Sequence, residues 1–496
     1  MARDKIVIAG ATGFIGHAVA RRLARRSEAP FEIVGLTRGR KEATGAWDRL
    51  VTCDLFSLRD LVTALEGARY AAYFVHSMLP SARLVQSAFQ DLDLICADNF
   101  GRAAAHHKVE QIVYLGGLIP PARQLSAHLA SRREVERALS AHDVAVTTLR
   151  AAMVIGARGS SFDILTQLVR RLPAMVLPHW AAQQCQPIDL DTIAELIAYV
   201  VGRHGTYGET YDVGGPDVLT YGDMLRVVGE QLGTPRPTIS VPLMTPGLSR
   251  LWISLITGAP RSLVAPLVES LHFDMTCQDQ RLQDAAGLRG RPFREAVASA
   301  LAAERDAGSG TPHAYQPAPR APVTGVRSVQ RIALPRGRDA EWAAHEFMRW
   351  LPRGIWPPVR VEVDHERTCT FLLPRSRIAL LELTFDAERS ACDRQLFHVT
   401  GGLLAGPSSR GRLEFRVSPD GEHLLAAIHD YVPRLPWWLY LITQAHVHRW
   451  VMSRFGRHLA ALADEGHELG ARVTPSRLEC PDHPAPRAAS VSRTPG

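Results

Sequence analysis

The stretch KIVIAGATGFIG, residues 5–16, constrains the fold of this chain more than any other. An apolar run leads directly into three glycines, Gly10, Gly13 and Gly16, and these open the helical pattern HAVARRLARR. A strand that turns sharply into a helix uses glycine for a different reason at each place. The first takes the tight turn, the second lets a ligand approach the backbone, and the third lets the helix lie close on the strand. The first helical amides have no partner inside the helix and sit at the positive end of its dipole, so the turn is a cradle for an anion such as a diphosphate. Thr12, Phe14 and Ile15 fill the positions between and after the glycines and are assigned to the same cradle.

The flanks fit this reading. FEIVGL, RLVTCDL, YAAYFVHS, QIVYLGG and VAVTTLRAAMVIG follow as apolar runs separated by amphipathic stretches, so the expected class is α/β, a doubly wound domain whose parallel sheet is buried on both faces. Nucleotide sites of this kind place an acid at the end of the second strand to bind a ribose, or an Arg to bind a 2'-phosphate. Here that strand ends in Thr37 and Arg38, with Arg40 close by and no acid, so NADP is expected over NAD, with Arg38 on the phosphate. Asp54 and Leu55 end the third strand, where they are placed to meet adenine, although a strand-end Asp equally serves as a cap for the next helix. His76, with Ser77 after it, ends the fourth strand at the carboxyl edge where open sheets bind ligands.

GATGFIG, the CDL after the third strand, LRAAMVIG at 149–156 and YDVGGPDVLTYGDM at 211–224 occur in the order found in extended and atypical short-chain dehydrogenase/reductases, and the chain resembles that family over about its first 300 residues. More narrowly, it is similar to a bacterial subgroup that carries a C-terminal domain of unknown function. The resemblance implies a Rossmann fold and a Ser, Tyr and Lys that do the chemistry. In this chain Gly116 and Gly117 occupy the Ser region, His128 stands at the Tyr position, Arg132 at the Lys position, and Glu136 where the family often has Glu. His128, with an ordinary pKa of about 6.5, is the candidate general acid, and Arg132 keeps a positive charge for the ribose side. The opposing reading makes His128 an ordinary helix residue in a domain that binds nucleotide without turnover.

Beyond residue 157 the alternation loosens, and residues 237–270 are rich in Leu, Trp and Pro, which suggests a bulky apolar substrate. The expected organisation is a nucleotide-binding domain at 1–305, a Pro/Gly/Ala-rich linker at 306–325, a second domain at 326–465, and a structureless tail at 466–496. The second domain reads as α+β, an antiparallel sheet closed by one long helix, PWWLYLITQAHVHRWVMSRFGRHLAALA, in the order of a helix-grip fold. The apolar stripe of that helix, flanked by Arg449, Arg454 and Arg457, leaves contact with a membrane surface as an alternative to core packing.

No apolar run approaches the roughly 18 to 20 residues that cross a bilayer, and no leader pattern follows Met1, so a cytoplasmic protein is expected. Seven scattered Cys without a Cys-x-x-Cys pair read as reduced thiols. The net charge of +7 is Arg spread along the chain, with only three lysines, and does not read as a nucleic-acid footprint. His106 with His107, and His446 with His448, point apart on their helices, so no metal site is expected. The favoured function is an NAD(P)H-dependent oxidoreductase lacking the usual Tyr-x-x-x-Lys and acting on a bulky apolar small-molecule substrate. The alternatives are a non-catalytic NADP(H)-binding sensor or scaffold and a peripheral membrane or lipid-handling protein. The sequence assigns no oligomeric state.

Overall fold

The structure, a computed structural model, describes residues 3–26, 30–39, 42–43, 45–76, 84–172, 174–241, 269–306, 325–355, 359–406 and 410–470. Arg40, Ser77 and most of the apolar segment 237–270 lie outside the described residues, as do nearly all of the linker and of the tail. The chain forms two units, one of residues 1–79 and 93–321, the other of residues 80–92 and 322–496.

The first unit is built on seven parallel strands: β1 (Asp4–Ala9), β2 (Phe31–Thr37), β3 (Arg49–Thr52), β4 (Tyr70–Tyr73), β5 (Gln111–Gly117), β6 (Ala145–Ala151) and β7 (Thr210–Val213). They are ordered β3-β2-β1-β4-β5-β6-β7, so the order reverses between β1 and β4. The carboxyl ends of these two strands flank the crevice in which such sheets bind ligands. The central strands are apolar throughout because helices cover both faces: Ile6, Val7, Ile8 and Ala9 are fully buried. Helices α1 (Phe14–Ala24) and α6 (Leu190–Val200) bury Val19, Leu23, Ile193, Leu196 and Ile197 against the sheet.

Helices α2 (Leu58–Leu65), α3 (Phe89–His106) and α4 (Ala127–Leu139) complete the alternation. Glu136 on α4 takes a bidentate ion pair from Arg150 on β6, at 3.1 and 2.7 Å. A separate apolar cluster joins α5 (Ser160–Arg171), α7 (Tyr221–Gln231) and the helix Phe293–Asp306, with Phe162, Leu168, Trp180, Met224 and Val297 inside it. It lies beyond the carboxyl ends of β5 and β6, since Leu118 and Leu129 belong to it.

The second unit holds an eight-stranded mixed sheet. Seven strands, Arg360–Val363, Cys369–Leu372, Ala379–Phe385, Arg394–Gly401, Arg412–Val417, His423–Tyr431 and Val326–Ala333, are antiparallel neighbours in that spatial order. The Asp420-Gly421 turn, with Gly421 at φ 74°, joins two of them as its sequence implies. The eighth strand, Leu84–Gln86, comes from far upstream and pairs parallel with Val326–Ser328. This corrects the expected boundaries, because residues 80–92 were read as part of the first domain.

The helices Ala340–Gly354 and Gln444–Gly470 cover one face of this sheet, where the rings of Phe347, Phe415 and Phe455 meet at 5.0 to 6.3 Å. The long closing helix is present but broken. Trp437–Ile442 forms a short helix, Thr443 leaves helical geometry at φ −119° and ψ −86°, and the long helix runs from Gln444 to Gly470, into the stretch expected to be structureless. Cys53, Cys96, Cys185, Cys277 and Cys369 are free, whereas Cys392 is disulfide-bonded, against the expectation of reduced thiols.

Candidate functional site

The glycine turn is shaped as its sequence requires. Gly10 sits at φ 92°, a region side chains rarely tolerate, and a Cβ there would lie 2.8 Å from the Phe74 carbonyl oxygen. The turn closes through the Gly13 amide, which donates to the Gly10 carbonyl at 2.9 Å. A Cβ on Gly16 would stand 2.4 Å from that same carbonyl oxygen, so only glycine lets α1 start this close to β1. Gly13 caps α1 without a side-chain hydrogen bond, and no acid stands in the first turn. The cradle is open to an anion, and a dinucleotide diphosphate fits it. Thr12 and Gly13 are exposed there, and Ile15 is half-buried. Phe14 turns away into the protein: Cβ atoms on Gly156 and Gly159 would come within 2.9 and 3.2 Å of its ring, which explains the glycine that ends LRAAMVIG.

Arg38 is exposed immediately after β2. Thr37 beside it donates its hydroxyl to the Gly39 carbonyl at 2.7 Å, shaping the loop that carries the guanidinium. Asp54 accepts from the Phe56 amide at 3.2 Å, and Ser57, not Asp54, caps α2. The cap reading of Asp54 therefore gives way to a local turn. Leu55 is half-buried, with its carbonyl held by the Asn99 side chain at 3.0 Å.

His76, His128 and Arg132 come together. The two imidazoles stack with centroids 5.4 Å apart and planes 24° from parallel, and the Arg132 guanidinium lies 3.3 Å from His76 Nδ1. Behind them stands Asp93, fully buried on α3, which pairs with the Arg132 guanidinium, lies 3.5 Å from His76 Nδ1, and accepts from the Ser131 hydroxyl at 3.4 Å. Sequence reading missed Asp93. Its signal was the run DLDLICADN, whose Asp91, Asp93, Asp98 and Asn99 are buried on a helix that otherwise packs as core. Tyr114, one turn of pleat before the glycines, donates to the Arg132 carbonyl at 3.4 Å, and burial pushes its phenol up to about 12.

Two expectations change here. Burial first, then the nearby Arg132 charge and His76, hold His128 well below the usual histidine pKa, and burial and Arg132 lower His76 as well. At neutral pH the His128 imidazole is uncharged, so it is not a reservoir for a catalytic proton. The charge of Arg132 is engaged by Asp93, and its side chain is 7% exposed, so it is not presented to a ribose as a family Lys would be. Among the described residues, the Nδ1 of His128 and the Nε of Arg132 are buried without hydrogen-bond partners.

His128 also forms part of the wall of a cavity of about 130 Å³ at the carboxyl ends of β5 and β6. Gly117, Ala151, Met153, Ile164, Leu168, Trp180, Tyr221, Leu225 and Met275 line it, and among the described residues of its wall there is no Asp, Glu, Lys or Arg. A Cβ on Gly117 would make ordinary van der Waals contact with Arg132 Cγ at 3.5 Å, so the glycine in the Ser region lies between cavity and cluster.

The curated "Auxiliary protein GraX" of Staphylococcus aureus is 33% identical over 117 residues, which is 23% of this chain and 37% of that protein; the chain thus spans little more than a third of that relative's length. Among solved structures, UDP-N-acetylglucosamine 4-epimerase from Bacillus cereus is similar at 15% identity over 61% of this chain and 99% of its own, with a TM-score of 0.45. Triphenylmethane reductase of Citrobacter sp. complexed with NADP(H) is similar at 18% identity over 60% and 100%, with a TM-score of 0.48. An NADPH-dependent quinone oxidoreductase from Escherichia coli is similar at 19% over 59% and 98%, with a TM-score of 0.46. The model of the NAD dependent epimerase/dehydratase family matches residues 6–214. Over residues 6–214, with that strand order and glycine turn, the chain matches the NAD dependent epimerase/dehydratase family, the extended short-chain dehydrogenase/reductase type of NAD(P)-binding domain.

Proposed function

We propose that the first unit is an NADP(H)-dependent oxidoreductase acting on a neutral, largely apolar substrate held in the cavity beside His128. The observation that carries this reading is the cavity itself, which places apolar walls and one uncharged imidazole at the carboxyl edge of the nucleotide-binding sheet. A nucleotide-sugar substrate needs cations for its phosphates, and the described residues of the cavity wall supply none.

In this reading the turn at Gly10, Gly13 and Gly16 holds the diphosphate, Arg38 selects the phosphorylated ribose, and Asp54, Leu55 and His76 border the nucleotide. Nicotinamide, when bound, supplies or takes the hydride. His128, kept neutral, donates a hydrogen bond to the substrate oxygen and orients it, while the proton that balances the reduction comes from water. Arg132 and Asp93 fix the ring position from behind. Trp180, Met153 and Leu168 exclude water from the reacting face.

Consumption of NADPH with a panel of quinones, enones and aldehydes tests the proposal. Turnover is expected with at least one, and His128→Ala should lower kcat on the order of 10²-fold, the usual size for loss of a preorganised hydrogen bond. Because the neutral ring is the working form, kcat should rise only below the ordinary histidine range and stay flat from about pH 6.5 upward. A fall in kcat across that range would mean a protonated His128. The second reading, a binder that senses NADP(H) without turnover, is favoured by the engagement of Arg132 with Asp93. It is chosen if NADPH binds and no member of the panel is reduced.

A further inference from the structure

Eight large apolar side chains are exposed among the described residues, and four of them, Trp438, Ile442, Val447 and Trp450, fall between positions 438 and 450 at the end of the second unit. Trp438 and Ile442 are 66% and 65% exposed, and one turn of the short helix Trp437–Ile442 puts them on one face. On the long helix that follows, Ala445, Val451, Met452, Phe455 and Leu459 are buried, which leaves His446, Val447, Arg449, Trp450, Ser453, Arg454 and Arg457 toward solvent. The guanidinium of Arg454 lies over the Trp450 ring at 5.1 Å.

The charge carried by this stretch has one sign, and the acid that meets it from the neighbouring helix, Glu346, is paired with His458 at 2.8 Å. From Tyr431 to Ala463 there is no Asp or Glu, while Arg434, Arg449, Arg454 and Arg457 are all exposed. Exposed Trp and Ile beside unopposed Arg are the parts of a surface that lies in a membrane interface, with the apolar groups at the headgroup boundary and the guanidiniums on anionic headgroups. A second copy of the chain fits worse. In a two-fold contact this face would meet itself and set Arg against Arg with no acid between them.

We propose that the face formed by Trp438, Ile442, Val447 and Trp450 with Arg434, Arg449 and Arg454 docks the second unit on an anionic lipid surface. The contact is peripheral, for among the described residues no helix is long and apolar enough to cross a membrane. It uses residues of the second unit alone and none of the cavity or the glycine turn, so it holds or fails independently of the oxidoreductase reading.

Cosedimentation of the full chain with vesicles tests it, using phosphatidylcholine alone and phosphatidylcholine with phosphatidylglycerol. Binding is expected only to the anionic vesicles and should weaken as salt is raised. The pair Trp438→Ser with Ile442→Ser, and separately the pair Arg449→Gln with Arg454→Gln, should each lower the bound fraction on the order of ten-fold at unchanged thermal melting. Both arginines are exposed, and their pair decides the matter if the apolar pair fails to fold. No binding by the unaltered chain overturns the proposal, as does binding that neither pair reduces. It is also overturned by a dimer in light scattering that the apolar pair dissociates, since the face would then be a self-contact.

Discussion

The ion pair between Arg132 and Asp93 is the residue on which the candidate site turns. Both are buried, and Asp93 has no exposed surface at all, so removing one charge strands the other in a medium that solvates it poorly. Asp93→Asn is therefore expected to cost about 3 to 5 kcal/mol of stability by thermal or urea unfolding. The same change removes the one acid that opposes the lowering of the pKa of both imidazoles, so His76 and His128 should become harder still to protonate in an NMR titration of the folded protein. Loss of stability below 1 kcal/mol would show that the pair is wet. Of this cluster, His76, His128 and Arg132 were legible in the sequence, because strand ends and family spacing mark them. Asp93 was not, because an acid inside an apolar helix declares its role only when its partner is seen. Nor was the protonation state of His128, which depends on burial and on charges from other elements.

At the scale of elements, the strands and α1 were readable because each carries its own period and its own punctuation. The long C-terminal helix was readable as a stripe, but its break at Thr443 was not, since nothing in ITQ forbids a helix. His448 lies on the buried side of that helix, with its Nε2 unpartnered and burial pushing its pKa down to about 4. The sign of the consequence follows from linkage. A histidine with a lowered folded pKa favours the folded state above its unfolded value near 6.5, and that advantage is lost as pH falls toward the folded value. Stability should therefore drop by about 3 kcal/mol between pH 6.5 and 4 on account of His448. Replacing it by Leu should remove that part of the acid sensitivity and leave stability at pH 7 equal or higher, measured by urea unfolding across the range. An unchanged acid dependence in His448→Leu would show that the ring is solvated.

For the whole molecule, the division into two units was legible in outline, from the change of pattern around the Pro-rich stretch, whereas the excursion of residues 80–92 was not. A three-residue strand has too little pattern to announce its partner, and its pairing with Val326–Ser328 spans more than two hundred residues of sequence. This has a consequence for dissection. A fragment beginning at residue 325 lacks Leu84–Gln86 and the ion pair of Asp91 with Arg331, at 2.7 Å, and exposes the ladder edge of Val326–Ala333. It should melt lower than the second unit of the full chain and associate through that edge, seen as concentration-dependent light scattering. A monodisperse fragment of full stability would remove the importance given to the excursion.

In the proposed function residues 6–214 hold a dinucleotide on the glycine turn, and Arg38 favours its phosphorylated form. Calorimetric titration of the full chain with NADPH and with NADH, repeated on Gly16→Val and Arg38→Ala, tests it most directly. Saturable binding with NADPH tighter than NADH is expected, with all binding lost in Gly16→Val and the preference reduced about ten-fold in Arg38→Ala. Absence of saturable binding to either carrier, or undiminished binding in Gly16→Val, would contradict the account.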